Sequence, residues 1–449
     1  MGVAFEFLFD TPEQREGGES EEARTDKLRK DFCYMWRSRL YSDVRIALRG
    51  DTASSATDAT EADSAVVFFS HRFILVSRSP YFRGALSSEF RAPTCTGPLT
   101  LNLPSTAFTP ASLHWSLGFM YSGTLNFSHR TFDLDTAFAI VRSAGFLSLA
   151  TMSDEIEAYI VEEMMHGLFH AYLTFEEYER ITAGKWGVGG CKCRQCQRRM
   201  PRILDFALSP DVSNRVFEKG ARRALVGMFG EGWCSREFAS LPAKMRASLL
   251  KGVVNRTSPL NIFPLLFASS AAVTKLDGSK DDWVDGVRDM VLQARKKIDE
   301  VLCTQTDICF EQQEWLEIMD SDGLRFGDRE KLGWIMEAIN RGLKDNNAGN
   351  VYQVRASSSV DLITQSHLQS LVSSVLLRPH PTDPMASFLP NGSAVRLHTE
   401  TTRVELLRWL RGHWVQVRLV GGFDNLEQWA LREIAQGEFL WSLWSFFGH

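Results

Sequence analysis

The chain has 449 residues, 44% hydrophobic and 23% charged, with a formal net charge of −5. That length supports two to four domains with cores of their own, and so small a charge favours neither nucleic acid nor an anionic membrane as partner. The acidic segment 13–22 is unlike a secretory leader, and no window reaches the roughly 18 uninterrupted apolar residues of a spanning helix. Residues 1–25 are polar and read as disordered. Leu28, Phe32, Met35 and Leu40 then recur near helical spacing, with Trp36 among them. Val44, Ile46 and Leu48 alternate with polar neighbours as a half-buried strand does, and 65–69 is a continuous apolar run of strand length. Between them, 51–64 is rich in Ala, Ser, Thr and Asp, the composition of a flexible insertion. A helix follows from His71, and Ser79-Pro80 reads as an N-cap with proline at the first helical position of another. Leu99, Leu101 and Leu103 mark a third strand, and Thr109-Pro110 opens a further helix that stops at Gly123.

The remainder reads as helical. Over 214–229 the pairs Val216/Phe217, Gly220/Ala221, Ala224/Leu225 and Met228/Phe229 recur every four residues. Trp283, Val287, Met290, Ala294, Ile298 and Val301 form a second stripe, Leu332, Ile335, Met336, Ile339 and Leu343 a third, and Leu368, Leu371, Val372 and Val375 a fourth. No fixed repeat relates them, so an irregular stack of helices is expected. Residues 377–395 carry Pro379, Pro381, Pro384, Pro390 and Gly392 and read as a linker. Phe439, Trp441, Trp444, Phe446 and Phe447 crowd the end of the chain, as a docking helix, a partner site or a lipid-interface anchor would.

Asp43-Val44, His71-Arg72-Phe73-Ile74-Leu75, Ser79-Pro80-Tyr81-Phe82 and the Tyr121-Ser122-Gly123 turn, in that order, closely resemble the BTB/POZ domain. Ala144-Gly145-Phe146-Leu147 resembles its closing helices. The resemblance implies an α+β BTB/POZ domain over 26–165 followed by a mainly α-helical region. Within the latter, 166–265 looks loosely like the BACK domain, 266–376 is further helix, and 396–449 is a C-terminal helical and aromatic segment. In BTB domains a helix at the position of 26–40 forms much of a dimer interface, which makes Leu28, Phe32, Met35 and Trp36 the expected contacts; the alternative is that this helix packs on its own domain. The resemblance also implies recruitment of a cullin-3 ubiquitin ligase, with Phe90 and Tyr121 as candidate contacts. The family's hydrophobic-x-Glu is here Phe90-Arg91-Ala92, with the hydrophobe present and the carboxylate absent.

Eight cysteines, at 33, 95, 191, 193, 196, 234, 303 and 309, are too sparse for a disulfide scaffold and read as reduced thiols of the cytoplasm or nucleus. The Asn-x-Ser/Thr triplets at Asn126, Asn255 and Asn391 are then coincidental. Cys191, Cys193 and Cys196 have metal-ligand character, because zinc takes four soft ligands in a tetrahedron. His166 and His170, four residues apart on one expected helix face, can each supply the fourth; His170 completes the expected set. Against zinc, the spacing matches no standard finger and the glycine-rich loop hosts free thiols at no cost. Arg194, Arg198, Arg199 and Arg202 make the same loop basic without the aromatics of a nucleic-acid reader. Phosphate-loop, dinucleotide and nucleophile-elbow signatures do not occur, and Asp320-Ser321-Asp322-Gly323 lacks the later ligands of a calcium loop. The expectation is a non-catalytic homodimeric adaptor with no cofactor, a structural zinc being the alternative to plain cysteines, presenting an unknown protein client to cullin-3. The rival is a BTB scaffold or transcriptional cofactor with no cullin role.

Overall fold

The computed structural model describes residues 21–49, 66–86, 99–128, 130–185, 190–321, 325–352, 394–424, 426 and 428–435. The expected insertion at 51–64, the 368–375 stripe, the linker up to residue 393, the aromatic terminus and Phe90 lie outside these residues, and the last two linker positions, Ala394 and Val395, instead begin a helix. The chain divides into two compact units. One runs to Met164 and includes Ser209–Ser213; the other holds Met165–Leu208 and everything from Asn214 onward.

In the first unit the alternation at Val44, Ile46 and Leu48 becomes the central strand, β1 (Val44–Arg49), with all three side chains buried. It pairs antiparallel with β2 (Val66–Ser70), Ile46 opposite Phe68. On its other edge it pairs parallel with β3 (Leu99–Pro104), Ile46 opposite Leu101, giving the order β2-β1-β3. A long amphipathic helix, α1 (Glu21–Ser38), precedes the sheet. Two short helices, α2 (Arg72–Arg78) and α3 (Pro80–Leu86), follow β2. The start of α2 is capped from a distance: the Arg72 N–H donates to Asp43 Oδ1 at 2.7 Å, so the Asp-Val motif at the head of β1 terminates a helix 29 residues later. Ser79 Oγ accepts the Phe82 N–H and donates to the Leu147 carbonyl at 2.7 Å, tying the α2–α3 corner to the closing helices.

Helix α4 (Pro110–Ser122) is buried on nearly every side and forms the axis of this unit. Thr109 and Ser112 form a reciprocal capping box at its start, and Gly123 ends it at φ 76°, where a side chain would be strained. Helices α5 (Leu134–Phe146) and α6 (Ala150–Tyr159) close the unit, with Glu155 accepting from the Thr124 hydroxyl and the Leu125 N–H.

Among its described residues the second unit holds helices joined by turns and no strand. It begins with α7 (Phe175–Thr182), α8 (Arg194–Ala207) and α9 (Arg215–Gly227), the last two packed on each other. Farther on, helix Ile262–Asp277 packs on Val284–Thr304 and Asp328–Gly342, and Asp328–Gly342 packs on Ala394–Gly412. The stripe in Val284–Thr304 is phased one residue from the sequence expectation at its start. Val284 and Val291 are buried where Trp283 and Met290 are partly exposed. The Leu332, Ile335, Met336 and Ile339 stripe is buried as a row. Among the described residues, Pro259–Asp277 is long and apolar enough to cross a membrane, although it carries Lys275 and several hydroxyls. In this fold it is the inner helix of the stack, with Ile262, Phe263, Leu266 and Leu276 against its neighbours.

Candidate interaction surface and metal centre

Helix α1 has two different faces. Cys33 and Trp36 are buried against α4. The Trp36 ring stacks on Tyr121 at 5.7 Å and 15° and meets Phe127 edge-on, while Arg37 donates to the Phe127 carbonyl. Trp36 therefore leaves the set of expected dimer contacts, because its apolar area is already spent inside its own unit. Leu28 stays 54% exposed, Tyr34 67% exposed, and Phe32 and Met35 are half-buried. Leu40 and Tyr41, just past the helix, are exposed as well. A row of exposed leucine and tyrosine beside half-buried Phe32 and Met35 is apolar surface of the kind that marks an interface.

Tyr121 is likewise not a surface contact; it is 2% exposed. Its hydroxyl accepts the His71 backbone N–H at 2.9 Å and donates to His71 Nδ1 at 2.7 Å. His71 Nε2 in turn donates to the Leu40 carbonyl at 2.6 Å. These three hydrogen bonds join the end of β2, α4 and the end of α1. Burial pushes the Tyr121 phenol up to about 12. The His of the helix motif and the Tyr of the turn motif, 50 residues apart, are thus one structural feature.

In the second unit three thiols and an imidazole converge. The ligand atoms of His166, Cys191, Cys193 and Cys196 all lie within 4.8 Å of one another. His166 Nδ1 is 3.1 Å from Cys191 Sγ, 3.5 Å from Cys196 Sγ and 3.9 Å from Cys193 Sγ. The expected fourth ligand, His170, is not there: its ring faces Tyr178, and its buried Nε2 has no hydrogen-bond partner among the described residues. The backbone accounts for the exchange. Residues 166–170 do not continue a helix; His166, Gly167, Leu168, Phe169 and His170 all have positive φ, between 36° and 90°. In a left-handed turn the i, i+4 rule for sharing a face no longer applies.

Such a turn costs about 1–2 kcal/mol for each non-glycine residue and persists only where its surroundings over-determine it. Here they do. Leu168 and Phe169 are buried. A Cβ on Gly190 would fall 2.1 Å from the Phe169 ring, and one on Gly220 of α9 would fall 2.8 Å from Leu168. Arg223 donates to the carbonyls of His170, Leu173 and Thr174, and Lys219 to that of Leu173.

The thiols sit at the head of α8. Cys193 is its N-cap, with Sγ accepting the Cys196 N–H at 3.4 Å. Backbone N–H groups and the positive end of a helix favour thiolate over thiol, and the Cys193 thiol is drawn down to about 7, chiefly by the Cys196 N–H. Cys196 is buried, and burial holds its thiol well above the ordinary range. The residues present fit a metal of the zinc type in ligand chemistry and number.

A cleft of about 890 Å³ opens beside α8, lined by Arg194, Arg198, Arg236 and Lys275 against Glu231, Glu237, Asp281 and Asp282. Its charges balance. The thiol it contains, Cys234, is pushed up to about 11 by burial and is protonated at neutral pH, so it is no activated nucleophile.

No curated protein matches the chain. A family model described as BTB/POZ domain matches residues 40–164. That span holds all three strands, the Asp43 cap, the His71–Tyr121 node and α2 to α6. The chain therefore carries an α+β BTB/POZ domain, a protein-interaction module, followed by a largely helical region.

Proposed function

We propose that the chain is a non-catalytic intracellular adaptor that dimerises through α1 of its BTB/POZ unit and presents a protein client to a cullin-3 ubiquitin ligase. The BTB/POZ domain itself carries the reading. The exposed Leu28 and Tyr34 support the dimer, and the helices after the domain supply a BACK-like region for a client. The protonated Cys234 supports the non-catalytic part. A metal held by His166, Cys191, Cys193 and Cys196 would find four protein ligands and no open position, the pattern of a structural centre.

One observation favours the second reading, a BTB scaffold with no cullin role. Ala92 stands where cullin-binding members often have Glu. Loss of a hydrogen-bonding carboxylate costs about 1–3 kcal/mol, roughly one to two orders of magnitude in affinity.

Two measurements on the full chain separate these readings. Light scattering is expected to give a dimer, and Leu28→Asp with Tyr34→Asp is expected to give a folded monomer, since a buried unpaired charge at an interface is costly. A dimeric double variant would remove α1 from the interface. Titration with a purified cullin-3 N-terminal domain is expected to show sub-micromolar binding that Phe90→Asp abolishes; a dimer with no detectable binding leaves the scaffold.

A further inference from the structure

The imidazole nitrogen at the head of α8 stands close to the distance from the three sulfurs that a filled site needs. Zinc bonds of about 2.3 Å to sulfur and 2.0–2.1 Å to nitrogen, in a tetrahedron, put nitrogen about 3.5 Å from each sulfur. The three observed separations from His166 Nδ1, 3.1, 3.5 and 3.9 Å, bracket that value. Three thiolates and a neutral imidazole around Zn²⁺ leave a net charge of −1, which Arg194 and the N-terminus of α8 offset. We infer that His166, Cys191, Cys193 and Cys196 form a structural zinc site that pins the left-handed turn at 166–170 to the head of α8.

Each ligand's local structure serves that assignment. The left-handed turn carries His166 to the thiols, while Phe169 packed on Gly190 holds the same turn against the residue preceding Cys191. Cys193 and Cys196 lie across one turn of α8, one at the N-cap and one in the buried first turn. On binding, Zn²⁺ takes the His166 Nδ1 lone pair and three sulfur lone pairs, and the thiol protons pass to solvent. His166 then keeps its ring proton on Nε2. The soft three-sulfur set selects zinc over the hard cations magnesium and calcium. The site concerns only the helical unit, so it stands or falls separately from the cullin-3 reading.

The test uses the full chain, purified under reducing conditions from zinc-replete cells. Elemental analysis is expected to return one zinc per chain, and Co²⁺ exchange the d–d and sulfur-to-cobalt bands of a tetrahedral three-sulfur, one-nitrogen site. Changes just outside a metal's ligand shell alone cost about 10–100-fold in affinity, so His166→Ala is expected to exceed that loss, whereas His170→Ala should keep the metal. Chelation is expected to deprotect amides of 165–204 in hydrogen exchange and leave those of 40–164 unchanged. Cys193→Ser, at the exposed ligand, reports on the same site should His166→Ala fail to fold. A chain with neither zinc nor the cobalt bands overturns the site, as does a disulfide among the three cysteines. Retention of metal by His166→Ala with loss by His170→Ala overturns the ligand assignment.

Discussion

Replacing Arg341 with Ala is expected to destabilise the helical unit by about 3–5 kcal/mol, the cost of leaving a buried charge without its partner. Asp299 is buried in helix Val284–Thr304. Arg341, from Asp328–Gly342, grips it with two parallel bonds, Nε to Oδ2 at 2.9 Å and a terminal guanidinium nitrogen to Oδ1 at 3.1 Å. Burial pushes the Asp299 carboxyl above its ordinary 3.8, and the guanidinium opposes that rise. Removing the guanidinium leaves burial opposed by the charge of Arg295 and no hydrogen bond, so the folded-state value rises further.

The pH dependence follows from linkage. With a raised folded value the native state holds the proton more tightly than the unfolded chain, so stability falls as pH rises through that window. The deficit of Arg341→Ala is thus expected to be largest at neutral pH and to shrink as Asp299 protonates in acid. Denaturant unfolding at several pH values checks this. A deficit independent of pH would mean that lost packing by the arginine stem dominates. Arg341→Lys should not rescue fully, because an ammonium cannot reproduce the paired bonds.

Tyr121→Ala is expected to cost the BTB/POZ unit about 3–5 kcal/mol, since it removes an aromatic ring from the packed centre of α4. The vacated space adjoins Trp36, which loses its stacking partner, and His71, which loses both an acceptor and a donor. Tyr121→Phe isolates the polar share and should cost about 1–3 kcal/mol, because two buried groups of His71 go unpaired while the ring stays. Native-state hydrogen exchange over 40–164 measures both. Alkali gives a second handle. The Tyr121 value is raised from 10 to about 12, so its contribution is complete below pH 10 and lost as pH climbs toward 12. Tyr121→Phe should lack that particular loss.

Much of the BTB/POZ unit is legible in the sequence. Period-two runs gave strands, Ser79-Pro80 and Thr109-Pro110 gave helix starts, and Gly123 gave a stop, because these signals act within a few residues. The candidate contacts were less legible. Trp36 and Tyr121 were expected as partner contacts, and only the packing of α1 on α4 placed them inside. For the metal ligands, the three cysteines stood out by spacing alone. The histidine was misassigned because the expectation took 166–170 for right-handed helix, whereas the turn is left-handed. A lone Gly167 in the stretch was the one local hint, and glycine within a helix does not by itself signal five residues of reversed hand.

The sequence by itself determined the element types of the BTB/POZ unit and the soft character of the thiol cluster, for those depend on local sterics, periodicity and side-chain chemistry. Only the tertiary structure decided which groups meet: Asp43 with the Arg72 N–H, His71 with Tyr121, Asp299 with Arg341, and His166 with the three cysteines. The physical reason is the same in each case. These pairings join residues 25 to 50 positions apart, and their energy comes from burial and from satisfying polar groups away from water. That depends on where the whole chain has packed, and on contacts from Gly190, Gly220 and Arg223 that hold a strained turn no local preference would choose.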